Sequence, residues 1–169
     1  MNADPSCHGP SAPSAGASAP RSSEPASTPE ATARLLVADD DPDVCRTLCS
    51  ALQLYGYEVD AAHDGAMAWD ALNTNTYDLV ITDHTMPKLT GLELIRRVHA
   101  VRPDLPCILI SGNMPIEETE LISPHLPFRA VEKPFRLANL ANIARSLMAA
   151  HPIKPVEARA AAQPIACLA

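Results

Sequence analysis

Short apolar runs alternate along the chain with stretches whose apolar residues recur every three or four positions. Leu35-Leu36-Val37-Ala38 is a strand-length run ending in Asp39-Asp40-Asp41. Pro42 suits the first turn of a helix, and Val44, Leu48, Ala51, Leu52 and Tyr55 follow at helical spacing until Gly56. Tyr57 to Ala61 alternates as a second strand, and Asp64-Gly65 starts a helix over about Ala66–Leu72 with Met67, Ala71 and Trp69 inward. Leu79-Val80-Ile81 is a third strand, tipped by Asp83 and broken at Pro87 and Gly91. Leu92, Ile95 and Val98 mark a helix ending before Pro103, and Pro106 to Ile110 is the most apolar run of all. A short polar helix is expected from Pro115 to about Ile122, and a fifth strand over Phe128–Glu132, ending at Lys133-Pro134. Leu137, Leu140, Ala141, Ala144, Leu147 and Met148 form one stripe on the last helix.

Strict strand–helix alternation predicts an α/β fold: a doubly wound, five-stranded parallel sheet with helices on both faces. The flavodoxin-like strand order 2-1-3-4-5 is the economical topology, with its switch point between strands 1 and 3. Residues 34–150 form this domain. Residues 1–33 are rich in Ala, Ser and Pro, and 151–169 carry three more prolines; both lack the large apolar residues needed to offset chain entropy and are expected to be disordered tails.

A net charge of −7 and the absence of a Lys/Arg cluster argue against nucleic-acid binding. No apolar run approaches a membrane span, and no secretory leader is evident, so a cytoplasmic protein without membrane contact is expected. Cys45 and Cys49 stand four apart on the first helix, where they read as small packing residues.

In a parallel sheet all strand C-termini point the same way. Asp39 and Asp40, Asp83, Ser111 and Lys133 therefore converge on one end of the sheet. Crowded carboxylates raise each other's pKa, and a hard divalent cation removes that conflict. Oxygen donors favour magnesium over zinc. With phosphate present, Asp83 could act as nucleophile and form an aspartyl phosphate. Lys133 would place a charge, and Ser111 a hydroxyl, on the phosphoryl oxygens. Gly112 leaves room for a phosphodonor.

The segments LLVADDD, YDLVITDHTMP with Gly91, ILISG and VEKPF together resemble the receiver domain of two-component response regulators, in a single-domain form. The resemblance covers about Arg34 to Ala150. It implies a phosphoacceptor protein rather than an enzyme, limited to self-catalysed phosphotransfer and dephosphorylation. Asp83 would be the phosphoacceptor, taking a phosphoryl group from a sensor histidine kinase or histidine phosphotransfer protein. Asp40 and Asp83 would hold magnesium with the Thr85 backbone carbonyl, and Asp39 would help through water. Ser111 and Lys133 would touch the phosphoryl group, and the Lys133-Pro134 bond resembles one usually cis in the family. Signalling output would be a contact with an unknown downstream protein, or relay of the phosphate, since no output domain follows. Ala130 departs from the family, which often has an aromatic switch residue three positions before the lysine. His84 also departs, standing where an apolar residue is frequent.

Each site residue has a plainer structural role available: the Asp run as a helix cap (Asp41 above all), Asp83 as a turn former, Lys133 and Ser111 as surface groups. Two other function classes fit part of the pattern. A constitutive adaptor that is never phosphorylated would explain Ala130. A phosphatase resembling the haloacid dehalogenase family would use Asp39-x-Asp41, but the lone acid on strand 3 and Lys-Pro on strand 5 suit a receiver better.

Overall fold

The computed structural model describes residues 32–152 except Pro115, Leu121 and Ser123. The two tails, save the residues adjoining the domain, lie outside the described residues. Elements run β1 (Arg34–Ala38), α1 (Pro42–Leu54), β2 (Glu58–Ala62), α2 (Gly65–Thr74), β3 (Leu79–Asp83), α3 (Gly91–Val101), β4 (Cys107–Ser111), α4 (Ile116–Thr119), β5 (Phe128–Glu132) and α5 (Leu137–Ala150). All strands are parallel, in the order β2-β1-β3-β4-β5. The expected topology therefore holds.

Period-two alternation splits the sheet's side chains between two faces. Leu36, Val80, Cys107 and Leu109 join Ala68, Leu72, Leu92, Ile95 and Val98 of α2 and α3. Leu35, Val37, Ile81, Ile108 and Ile110 join Leu48, Leu52, Leu140, Ala144 and Leu147 of α1 and α5. β1, β3 and β4 are buried along their whole length, which is why they read as unbroken apolar runs.

Helix starts follow local chemistry. Asp41 caps α1 by accepting from the Asp43 and Val44 amides, as its position suggested. Asp64 caps α2 through the Met67 amide, and Thr90 with Glu93 forms a capping box on α3. Gly56, at φ +88°, turns the chain out of α1.

Some facing assignments differ from the sequence-based expectation. Cys45 and Cys49 pack in the core, as expected of them, and complete the buried stripe of α1, whereas Tyr55 is the exposed C-cap. Met67 is outward because Ala68, Ala71 and Leu72 define the α2 stripe; Trp69 is half-buried against the core. The fourth helix is a single turn, Ile116–Thr119, whose acidic first turn leaves few apolar groups to anchor it.

A buried polar group sits away from the C-terminal end of the sheet. Arg34 pairs with Asp60 at 2.5 Å, Tyr77 donates to the same Asp60 oxygen at 2.8 Å, and the guanidinium lies 5.2 Å from the Tyr77 ring centre. Burial and the Asp60 carboxylate push the Tyr77 phenol well up, so it remains a donor.

Candidate functional site

Asp83 is the last residue of β3, the central strand, and is buried at 7% exposure. On the neighbouring strands, Asp39 directly follows β1 and Ser111 ends β4, both only 2% exposed. Parallel register explains the gathering: Ala38 pairs with Thr82, and Asp83 with Ile110. Lys133 follows β5, its amide donating to the Ser111 carbonyl at 2.8 Å, and the Lys133-Pro134 peptide is cis.

The Lys133 ammonium donates to Asp83 Oδ1 at 2.6 Å and reaches Asp39 Oδ2 at 3.4 Å. The other Asp83 oxygen, Oδ2, accepts from the Thr85 amide at 2.6 Å. Asp39 Oδ1 accepts from the Asp41 amide at 3.0 Å. Burial pushes the Asp39 carboxyl up from its ordinary value; the Asp41 amide and Lys133 oppose this, and the Asp83 charge reinforces it. Burial alone would lower Lys133, but its hydrogen bond to Asp83 and the charges of both carboxylates outweigh burial and hold the ammonium raised.

Three of the expected residues are thus in direct contact: Asp39, Asp83 and Lys133. Thr85 joins through its amide. Asp40 is exposed at the rim. The Ser111 hydroxyl is turned into its own loop, donating to the Asn113 carbonyl at 2.7 Å. Ser111 is adjacent to the carboxylates through the backbone but has its hydroxyl engaged elsewhere.

The side-chain and carbonyl donors available are oxygens, which suit a hard cation. Among the described residues no cluster of three or more His, Cys, Asp and Glu side chains forms a ready-made metal cage. That is compatible with magnesium, which takes one or two carboxylates and completes its shell with water and phosphate oxygens. The partly uncompensated charge of buried Asp39 gives such a cation an electrostatic reason to enter.

Two glycines let backbones approach at this end of the sheet. A Cβ on Gly91 would sit 2.0 Å from the Asp83 carbonyl oxygen, and one on Gly65 would sit 2.2 Å from that of Leu89. The loop from His84 to Thr90 is closed by the Gly91 amide on the His84 carbonyl at 3.0 Å. Lys88, in that loop, has φ +69° and bonds Asp64 at 2.6 Å. Sequence reasoning missed the Lys88–Asp64 pair: Asp64 carried a helix-cap signature, and nothing local marked Lys88. His84 is half-buried, and among the described residues its Nδ1 atom is buried without a hydrogen-bond partner.

A family model described as the response regulator receiver domain matches residues 35–145. The receiver protein CpdR of Brucella abortus (strain 2308) is 36% identical over 118 residues, covering 69% of this chain and 98% of CpdR. MprA of Mycobacterium avium (strain 104) is 33% identical over 120 residues, 68% of this chain but only 50% of MprA, so the chain spans about half of that relative. Among solved structures, the Thermotoga maritima response regulator TrrA in complex with Mg2+-BeF aligns with TM-score 0.62 and 32% identity, covering 69% of this chain and 99% of that one. A receiver protein from Sinorhizobium medicae WSM419 aligns with TM-score 0.66 and 28% identity, over 72% and 98%. Family match and sheet order agree, and the chain belongs to the response regulator receiver family of two-component systems, whose members are in general phosphoacceptors and phosphorylation-dependent switches.

Proposed function

We propose that this chain is a signalling switch phosphorylated on Asp83 in a magnesium-dependent reaction, with a histidine kinase or histidine phosphotransfer protein as donor. The observation that supports it most is the pairing of buried Asp83 with Lys133, beside a second buried carboxylate, Asp39, at the end of the central strand.

Receiver domains generally bind magnesium for phosphorylation, and the TrrA structure contains Mg2+-BeF. Here Asp39, Asp40, Asp83 and the Thr85 carbonyl are the residues to hold the ion. Its chemistry there is to neutralise charge on the phosphoryl oxygens. The chain's own groups do the rest. The Thr85 amide fixes one Asp83 oxygen and so aims the other. Lys133 exchanges that second oxygen for a phosphoryl oxygen, freeing Asp83 Oδ1 to attack phosphorus. The new bond is O–P; the bond broken is N–P in the donor phosphohistidine, whose imidazole leaves with the electron pair and is protonated. Ser111 must leave the Asn113 carbonyl to reach the phosphoryl group, which couples the site to the loop after β4. Output is a protein–protein contact or onward transfer of the phosphate.

Intact-protein mass after acetyl phosphate and magnesium tests this. One phosphoryl adduct is expected on the wild type, none without magnesium and none on Asp83→Asn. No adduct on folded, magnesium-replete protein overturns it.

A constitutive adaptor is the second reading, favoured by Ala130. The residue is exposed on β5, paired with Leu109, and puts no ring beside the Ser111 loop. Partner affinity unchanged by beryllofluoride would favour that reading, because a ligand with no differential affinity shifts no equilibrium.

A further inference from the structure

The loop between β3 and α3 carries Thr85, and it is fastened to a different element, the start of α2. Asp64 caps α2 with Oδ1, accepting from the Met67 amide at 2.7 Å, and uses Oδ2 for the Lys88 ammonium at 2.6 Å. Next to it, Gly65 lies so close to Leu89 that a Cβ would meet the Leu89 carbonyl oxygen at 2.2 Å. Asp64 is buried, whereas the Lys88 side chain is 64% exposed, so the lysine reaches across the surface to a fixed acid. Lys88 does this from φ +69°, a conformation that disfavours any residue with a Cβ. A glycine would hold that backbone more cheaply. A lysine there is explained by what its side chain does.

We infer that Asp64 and Lys88 are positioning residues: a latch that holds loop 85–90 so that Thr85 stays against Asp83. The functional weight of the latch rests on the proposed role of Asp83, but its mechanical effect does not. Thr85 is exposed, and its amide bond to Asp83 Oδ2 fixes the carboxylate's orientation. A loop free to lift would loosen that bond and withdraw the Thr85 carbonyl together with it. Neither latch residue bonds Asp39 or Asp83, so both act through the backbone between them.

The test measures amide hydrogen exchange at Thr85 by NMR in wild type, Asp64→Asn, Lys88→Gln and the double variant. Asn at position 64 keeps a capping oxygen, so α2 retains its start. Loss of a partly exposed ion pair is expected to speed Thr85 exchange roughly two- to fivefold, with amides in α5 unchanged. The double variant should match either single one, as expected when both remove the same interaction. Mn2+ affinity, read by electron paramagnetic resonance as a magnesium stand-in, should weaken by a similar factor. Unchanged Thr85 exchange in Asp64→Asn and Lys88→Gln overturns the latch, whatever the metal does. Faster exchange in a protein that binds no Mn2+ would support the latch and count against the proposed phosphorylation site. Normal Mn2+ binding with unaltered exchange would do the reverse.

Discussion

Replacing Gly91 with alanine sets two effects against each other at the base of the site. Gly91 is the first residue of α3, and its φ is not in the left-handed region, so conformational freedom is not why glycine stands there. Helix propensity alone would make Gly91→Ala stabilising, by up to about 1 kcal/mol. The space forbids it. The added Cβ would lie 2.0 Å from the Asp83 carbonyl oxygen, 2.9 Å from its carbon and 3.0 Å from Leu109 Cδ1. Real Cβ atoms essentially never approach closer than 3.0 Å, so the helix start or the end of β3 must move by about 1 Å, the difference between 3.0 and 2.0. The obstructing atoms are strand backbone, and they cannot swing aside as a side-chain end can. The same carbonyl accepts from Thr82 Oγ1 at 3.0 Å, and the Gly91 amide bonds the His84 carbonyl, so both bonds are strained by the shift. Overpacking of this kind costs about 1–3 kcal/mol, and a clash with strand backbone belongs at the upper end, so after the propensity gain a net loss of about 2 kcal/mol is expected. Urea denaturation reads it as a lower midpoint with an unchanged slope. The acetyl phosphate reaction on Asp83 should slow as well, since the displaced carbonyl belongs to the phosphoacceptor residue. A Gly91→Ala protein as stable as wild type, or more so, would refute the steric account.

Lys133→Met leaves two buried carboxylates facing each other, and because a third of the lysine is exposed the loss should be about 1–2 kcal/mol, less than for a fully buried pair. Adding Asp83→Asn should restore most of it, measured by the same denaturation. His99 is buried in α3, with Nε2 3.3 Å from the Leu105 carbonyl, and burial holds its pKa below the usual value. A folded pKa below the unfolded one means the unfolded state binds the proton more readily, so this contribution is present above the unfolded value of 6.5 and is lost as pH falls through it. Between about pH 7.5 and about pH 5.5 the wild type should lose stability that His99→Leu does not, at no more than about 1.4 kcal/mol per pH unit for one proton. Equal pH slopes in the two proteins would contradict this.

The places of β1, β3 and β4 were legible in the sequence because parallel strands covered on both faces leave short uninterrupted apolar runs, whereas β5, an edge strand exposed at three of its five residues, was marked mainly by the Lys133-Pro134 that closes it. The same logic brings Asp39, Asp83 and Lys133 together from the sequence alone, since parallel strands all deliver their C-termini to one side. Facing was less legible. Tyr55 and Met67 are apolar residues near a stripe but off it, and a short helix has too few turns to say which side its neighbours cover. Burial of Cys45 and Cys49 was anticipated, and their place in the α1 stripe emerged from packing. The Ser111 hydroxyl shows another limit: sequence placed the residue, but its choice of the Asn113 carbonyl depends on a loop conformation with no signature. Lys88 and Asp64 lie 24 residues apart on different elements, and such a pair leaves no local trace.

The sheet also works as a partition. Its two apolar clusters share no side chain, one held by α2 and α3 and the other by α1 and α5. A cavity opened at Leu72 therefore cannot be refilled by enlarging a residue near Leu140, and losses on the two faces should sum independently of each other. Compensating changes in such a protein must pair within one face. Each side of the domain is free to drift on its own, while Asp83, at the end of the strand between them, answers to both.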